Sequence, residues 1–189
     1  MLKDLVIRNR SYRRFDENHS VSPSVLKELV ELARLSPSAG NKQPLKYFLS
    51  SDPNMNQKIF PHLAWAGYLK EWPGPAVGER PTAYIIVLGD TSISPSFGCD
   101  HGIVAQSMLL GAVEKGLGGC MIASIDRPSL REALNLPELF EILLVIALGK
   151  PSETVILETV DDRENFRYWR DDKDRHHVPK RELEDIVLE

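Results

Sequence analysis

The residues best suited to chemistry in this chain lie in two short polar stretches. The first is Arg10-Ser11-Tyr12-Arg13-Arg14. Guanidinium forks bind phosphate through paired hydrogen bonds, a serine hydroxyl adds a neutral donor, and in a turn Arg10 and Arg13 can face one anionic ligand. A solvated basic turn is the plain alternative. The second is Pro37-Ser38-Ala39-Gly40-Asn41-Lys42-Gln43-Pro44, where small residues let backbone approach a ligand closely and Asn41 and Gln43 carry amides that both donate and accept. Here the plain alternative is a helix-to-strand connection.

Other signatures fail on context. Gly116-Leu117-Gly118-Gly119 resembles half a dinucleotide fingerprint, but it follows a helical pattern and precedes a strand, the reverse of the order that aims amides at a pyrophosphate. Ser24 and Lys27 match a nucleophile spacing but fall in the first turn of an amphipathic helix without partner motifs. His176 and His177 are sequence neighbours, which diverge on any regular element, so no metal site is expected. The chain has no Walker lysine motif, no His-Glu-x-x-His and no Cys-x-x-Cys.

The elements that must position these residues alternate along the chain. Leu2, Leu5 and Val6 have helical spacing, and Ser22-Pro23 opens a helix that Ser36-Pro37 ends. Leu45 to Ser50 reads as a strand and Asp52-Pro53 starts a helix. The Gly- and Pro-rich stretch from Gly67 to Pro81 is irregular, and long loops of this kind tend to cover sites. Thr82 to Gly89 is an apolar run expected to be a strand buried on both faces. Asp100 to Lys115 predicts a core helix capped by Gly116; strands over Gly118–Ile125 and Glu141–Leu148 flank a helix from Asp126 to about Asn135. Past Pro151 the sequence turns charged, and residues 151–189 are expected as an extended C-terminal tail of a single domain spanning 1–189.

Composition narrows the function. With 23 Lys+Arg against 27 Asp+Glu, the net charge of −4 leaves no excess for gripping nucleic acid. No apolar run approaches the roughly 20 residues of a membrane span. Met1-Leu2-Lys3-Asp4 has no apolar leader core, and two cysteines, Cys99 and Cys120, do not make a disulfide framework. The expectation is a cytoplasmic protein with free, buried thiols.

Taken together, the motifs resemble those of the FMN-dependent nitroreductases. Arg10-Ser11-x-Arg13-x-Phe15, a helix, then Ser36-Pro37-Ser38-x-x-Asn41-x-Gln43-Pro44 and a strand are similar to that family's two leading motifs. Asp100, Gln106 and Leu110 on one helix, Gly116 to Cys120 after it, and Leu148-Gly149-Lys150-Pro151 resemble its second half. The likeness spans nearly the whole chain. It implies an α+β fold, a mixed sheet flanked by helices, in an intertwined homodimer with two FMN molecules at the interface. By motif, Arg10 would bind the FMN phosphate, Ser11 the ribityl chain and Arg13 the pyrimidine edge. Pro37, Ser38 and Ala39 would reach the flavin of the other subunit, with Asn41 and Gln43 supporting that loop. Met121, Ile122, Ala123 and Ser124 would pass beside the N5 edge, and Lys180 and Arg181 would complete the phosphate site. No side chain is expected to act as catalytic acid or nucleophile: hydride from NAD(P)H would pass through flavin N5 to an electron-poor acceptor such as a nitroaromatic or quinone. Trp65, Tyr68 and Trp72 would line the pocket, or pack in the core or at an interface. Asn9, Ala39-Gly40, Leu45 and Ala123-Ser124 depart from the common family pattern and bear on the acceptor more than on the flavin. Two other readings stay open: a flavin-binding redox sensor with negligible turnover, and a flavin-free interaction protein whose Arg cluster docks an acidic partner.

Overall fold

A four-stranded antiparallel sheet in the order β1-β2-β4-β3 forms the centre of the computed structural model, which describes residues 1–160 and 165–188. Its strands are β1 (Leu45–Ser50), β2 (Ala83–Asp90), β3 (Gly118–Ile122) and β4 (Phe140–Gly149). The helices are α1 (Leu2–Arg8), α2 (Pro23–Leu35), α3 (Pro53–Ile59), α4 (Asp100–Glu114) and α5 (Arg127–Leu134). Local chemistry sets the helix ends. Ser22 and Asp52 accept from the amides of Val25 and Met55, each ahead of a proline in the first turn, and Asp126 does the same for Ser129. Asn135 closes α5 in the left-handed conformation, with φ of 50°.

Every residue of β2 is buried. Such a run is usual for parallel strands, but here both neighbours are antiparallel and the burial comes from helices on both faces. Ile85 and Val87 of β2 pack with Leu26 and Leu29 of α2 and Met108 and Leu109 of α4. Tyr84 and Ile86 face the other layer, with Ile59, Leu130 and Leu134. Strand β4 pairs Leu144 with Val87 and then Ile142 with Leu88, leaving Leu143 as an extra residue. That bulge inverts the alternation, so Ile142 and Leu144 serve opposite layers. Ile146 sits fully buried beyond it. An Ile146→Ala variant is expected to lose about 2–5 kcal/mol of stability, read as a lower denaturant midpoint at unchanged slope.

The stretch after Pro151 corrects an expectation. It is not merely an extended tail: β5 (Val155–Val160), β6 (Trp169–Arg170) and β7 (His176–Arg181) form a second sheet in the order β5-β7-β6. The β5–β7 pairing is parallel and the β6–β7 pairing antiparallel, so the mixed sheet lies here while the central sheet is antiparallel throughout. The apolar start of β5 and the alternation in β7 supply the pairing surfaces, and Trp169 stacks on His177 at 4.1 Å. Part of the charged run, residues 161–164, lies outside the described residues. Both cysteines are free; Cys120 is buried as expected, whereas Cys99 is exposed. No helix among the described residues is long and apolar enough to cross a membrane.

Candidate active site

The Arg cluster leaves α1 and runs along β3, the edge strand of the central sheet. Ser11 bridges Gly119 in parallel, and the Tyr12 amide donates to the Gly119 carbonyl at 3.0 Å. Glycine is needed beneath this segment, since a Cβ on Gly118 would lie 2.5 Å from the Tyr12 ring. A buried carboxylate fixes the turn that follows. Glu153, whose side chain is 2% exposed, accepts from the amides of Arg13 and Arg14 and from Arg170 Nη2 at 2.9 Å. Arg170 in turn lies over the Trp72 ring at 4.4 Å.

Arg13, 9% exposed, projects from this turn over the Tyr168 ring at 4.8 Å. Arg10 folds back on α1, Nη2 donating to the Val6 carbonyl at 2.7 Å, while its Nε is buried without a partner among the described residues. Burial lowers the Arg10 pKa, against the opposing effect of Tyr12. Together with Ser11, Met121 and Lys180, these arginines line a cavity of about 300 Å³. A second cavity of about 200 Å³ shares Arg13, Met121 and Tyr168 with it and extends along Ile122, Ala123 and Ser124 to Trp65. The floor is the outer side of β3, which meets backbone at Gly119 but pairs with no strand among the described residues until Ile125 bridges Leu63.

Strand alternation decides what the tail contributes. His176, Val178 and Lys180 line the first cavity, while His177 and Arg181 occupy the alternate positions of β7, so of the two expected basic residues Lys180 reaches the wall and Arg181 does not.

The second polar stretch lies elsewhere. Ser38 Oγ donates to the buried Asp100 carboxylate at 2.7 Å, as does the Ala39 amide at 3.0 Å, and Gln43 Nε2 donates to Asn41 Oδ1 at 3.1 Å. Pro37, Ser38 and Gln43 line a separate cavity of about 330 Å³ with Tyr47 and Asp100. Burial first, and then Asp100, pushes the Tyr47 hydroxyl up to about 12. The two expected stretches therefore do not meet within one chain.

Sequence comparison decides the family. The nitroreductase family model matches residues 7–150, a span that holds both stretches and the whole central sheet. The chain belongs to the nitroreductase family. A protein of Archaeoglobus fulgidus, provisionally named an NADH dehydrogenase/NAD(P)H nitroreductase, is 25% identical over 169 residues, covering 85% of this chain and 91% of that protein. The oxygen-insensitive NADPH nitroreductase of Helicobacter pylori is 33% identical over 106 residues, 56% of this chain and 45% of that one. Among solved structures, a nitroreductase family protein of Streptococcus pneumoniae matches with a TM-score of 0.72 at 16% identity over the full length of both chains. An FMN-dependent nitroreductase of Clostridium difficile matches at 0.62 and 20% identity, covering 85% of this chain and 92% of that one. Both structures are similar to this chain in fold.

Three residues of the site carry no motif of their own in the sequence. Tyr168 and His176 line the cavity and Glu153 anchors its entry turn. The alternation 176, 178, 180 was the available signal for His176; a lone carboxylate such as Glu153 carries none. Of the three uncertain aromatics, Trp65 lines the second cavity, Trp72 packs under Arg170, and Tyr68 is exposed beside Tyr168 at 4.9 Å. The neighbouring histidines face different surroundings, and among the described residues no group of three or more metal-ligating side chains is gathered.

His176 is pushed down to about 4 by burial, then by Arg13, Arg170 and His177. His177 is raised, chiefly by its hydrogen bond to Glu158 and also by Asp171. Their linkage to stability is opposite. The His176 contribution is complete above the unfolded value near 6.5 and is lost as pH falls towards 4, whereas that of His177 is present below the unfolded value and lost as pH rises through its folded pKa. At pH 6 an NMR titration is expected to show His176 neutral and His177 charged; a charged His176 would contradict the burial argument.

Proposed function

We propose that this member of the nitroreductase family holds FMN in the two joined cavities and reduces a small electron-poor acceptor at the expense of NAD(P)H. The observation that carries the reading is Arg10: a guanidinium whose buried Nε has no partner among the described residues, beside Ser11 and Lys180, at one end of a cavity whose other wall is a strand edge. That donor set fits FMN. Arg10 and Lys180 match a phosphate, the hydroxyl of Ser11 a polyol, and Arg13 the electron-rich edge of a flat heterocycle. The backbone of Met121 to Ser124 supplies a flat wall along the second cavity.

Bound there, FMN would supply hydride exchange between NAD(P)H and an acceptor such as a nitroaromatic or quinone. The protein's own part is binding and electrostatics. Arg13 is a fixed cation whose burial strengthens its attraction for charge that develops on the ligand. Arg10 and Lys180 hold the anionic end. No side-chain acid or nucleophile is needed, and among the described residues no carboxylate lines the cavities.

Loop 36–44, set apart from these cavities, is assigned in this reading to the flavin of a second copy, with Pro37, Ser38 and Ala39 as the contacting residues and Asn41 and Gln43 bracing the loop. Arg181 would lend longer-range charge to the phosphate. The reading entails a homodimer, and light scattering at micromolar concentration is expected to give twice the chain mass. A cytoplasmic setting, where NAD(P)H is available, suits it. The functional test is steady-state oxidation of NADH and NADPH by FMN-reconstituted protein with a quinone or nitroaromatic added. Acceptor-dependent turnover is expected, and flavin binding without turnover would point to a sensor instead.

A further inference from the structure

His176 is the buried polar residue of the cavity wall that the flavin reading leaves without a role. It is 1% exposed, and β7 carries it in on the same side as Val178 and Lys180. Its Nε2 lies 3.1 Å from Arg13 Nη1. A guanidinium only donates, so Nε2 is the acceptor and the ring proton belongs on Nδ1. Arg13 Nη1 also donates to the Ser11 carbonyl at 3.3 Å, and the guanidinium rests over Tyr168, whose ring is 5.2 Å from the imidazole. Nη1 is therefore committed to the protein. Among the described residues Arg13 makes no further side-chain hydrogen bond, so Nη2 and Nε remain for whatever occupies the cavity.

We propose that neutral His176 is a positioning residue: by accepting from Arg13 Nη1 it turns the remaining donors of Arg13 towards the bound ligand. This rests on the FMN reading for the identity of that ligand. The imidazole must stay neutral to do so, because its protonated form has no acceptor and sets a second positive charge against Arg13. Its burial and the charged groups facing it among the described residues favour neutrality. Arg13 from the entry turn, Arg170 from β6 and Lys180 and His177 from β7 are basic, while Glu153 is committed to Arg170 and the backbone, and Glu158 and Asp171 to His177. Acidification that protonates His176 therefore releases Arg13 and weakens the ligand.

The test compares wild type, His176→Gln and His176→Phe by quenching of FMN fluorescence. Glutamine keeps an acceptor for Arg13 and is expected to bind within about threefold of wild type at neutral pH; phenylalanine keeps the ring and is expected to lose about tenfold or more, the scale of a hydrogen bond to a charged group. Between pH 6 and 4 the wild-type affinity should fall more steeply than that of His176→Gln, a difference that a purely structural role would not produce. Phenylalanine binding as wild type does, or parallel pH profiles for wild type and glutamine, overturns the proposal. The pH comparison decides should the phenylalanine variant fail to fold. Long-range proton–nitrogen NMR of the flavin-free protein separates this from the FMN reading: the tautomer protonated at Nδ1 is expected, and one protonated at Nε2 overturns the role of His176. Absent FMN uptake by wild type, with the expected tautomer, overturns the FMN reading and leaves the Arg13–His176 contact standing.

Discussion

Replacing Glu153 with alanine is expected to cost about 3–5 kcal/mol of stability, the range for removing one partner of a buried ion pair. Glu153 and Arg170 have side chains 2% and 10% exposed, and among the described residues Arg170 Nε is already without a partner. Truncating the carboxylate leaves that guanidinium nearly unpaired in its interior position, since its remaining ion pair among the described residues, to the half-exposed Asp174, is 3.5 Å long. It also strips the acceptor from the amides of Arg13 and Arg14. The turn that aims Arg13 and the β6 strand that carries Arg170 are thereby uncoupled, so flavin affinity should fall with stability. Denaturant unfolding measures the first effect. Replacing both partners with apolar residues, Glu153→Leu with Arg170→Met, should recover much of the loss, because the cost lies in the orphaned charge more than in the missing attraction. A single variant less than about 1 kcal/mol below wild type would show that water reaches the pair.

The second large effect concerns binding without stability. Arg10→Ala is expected to weaken FMN by about one to two decades, corresponding to roughly 1.5–3 kcal/mol for a charge-assisted contact. Among the described residues its one side-chain hydrogen bond is to the Val6 carbonyl, at the surface end of α1, so unfolding should change little. Lysine at this position should recover part of the affinity, keeping the charge but not the planar fork. Unchanged affinity in Arg10→Ala would remove Arg10 from the site.

These predictions draw on parts of the molecule that were unequally legible in the sequence. Strand β1 is observed over Leu45–Ser50 as expected, because Pro44 and Asp52-Pro53 punctuate it locally. Helix α5 was readable from Asp126, Pro128 and Asn135 for the same reason. The bulge at Leu143 was not, since an unbroken apolar run shows no change of face until its partner strand is known. The second sheet was missed because its parallel pair joins β5 to β7 across the charged segment between them, and charge density there concealed the alternation. The same alternation separates Lys180 from Arg181, which composition alone treats as equivalent. Within the site, the arginine cluster was legible as a donor set, whereas Glu153, 140 residues from Arg13, left no local trace.

The central claim is that the cavity beside Arg10, Ser11 and Arg13 takes FMN, and the visible spectrum of the protein after reconstitution and desalting measures it most directly. Protein incubated with excess FMN and passed through a desalting column is expected to keep close to one flavin per chain, with the absorption band of bound flavin in the visible. A colourless protein after that treatment would contradict the account.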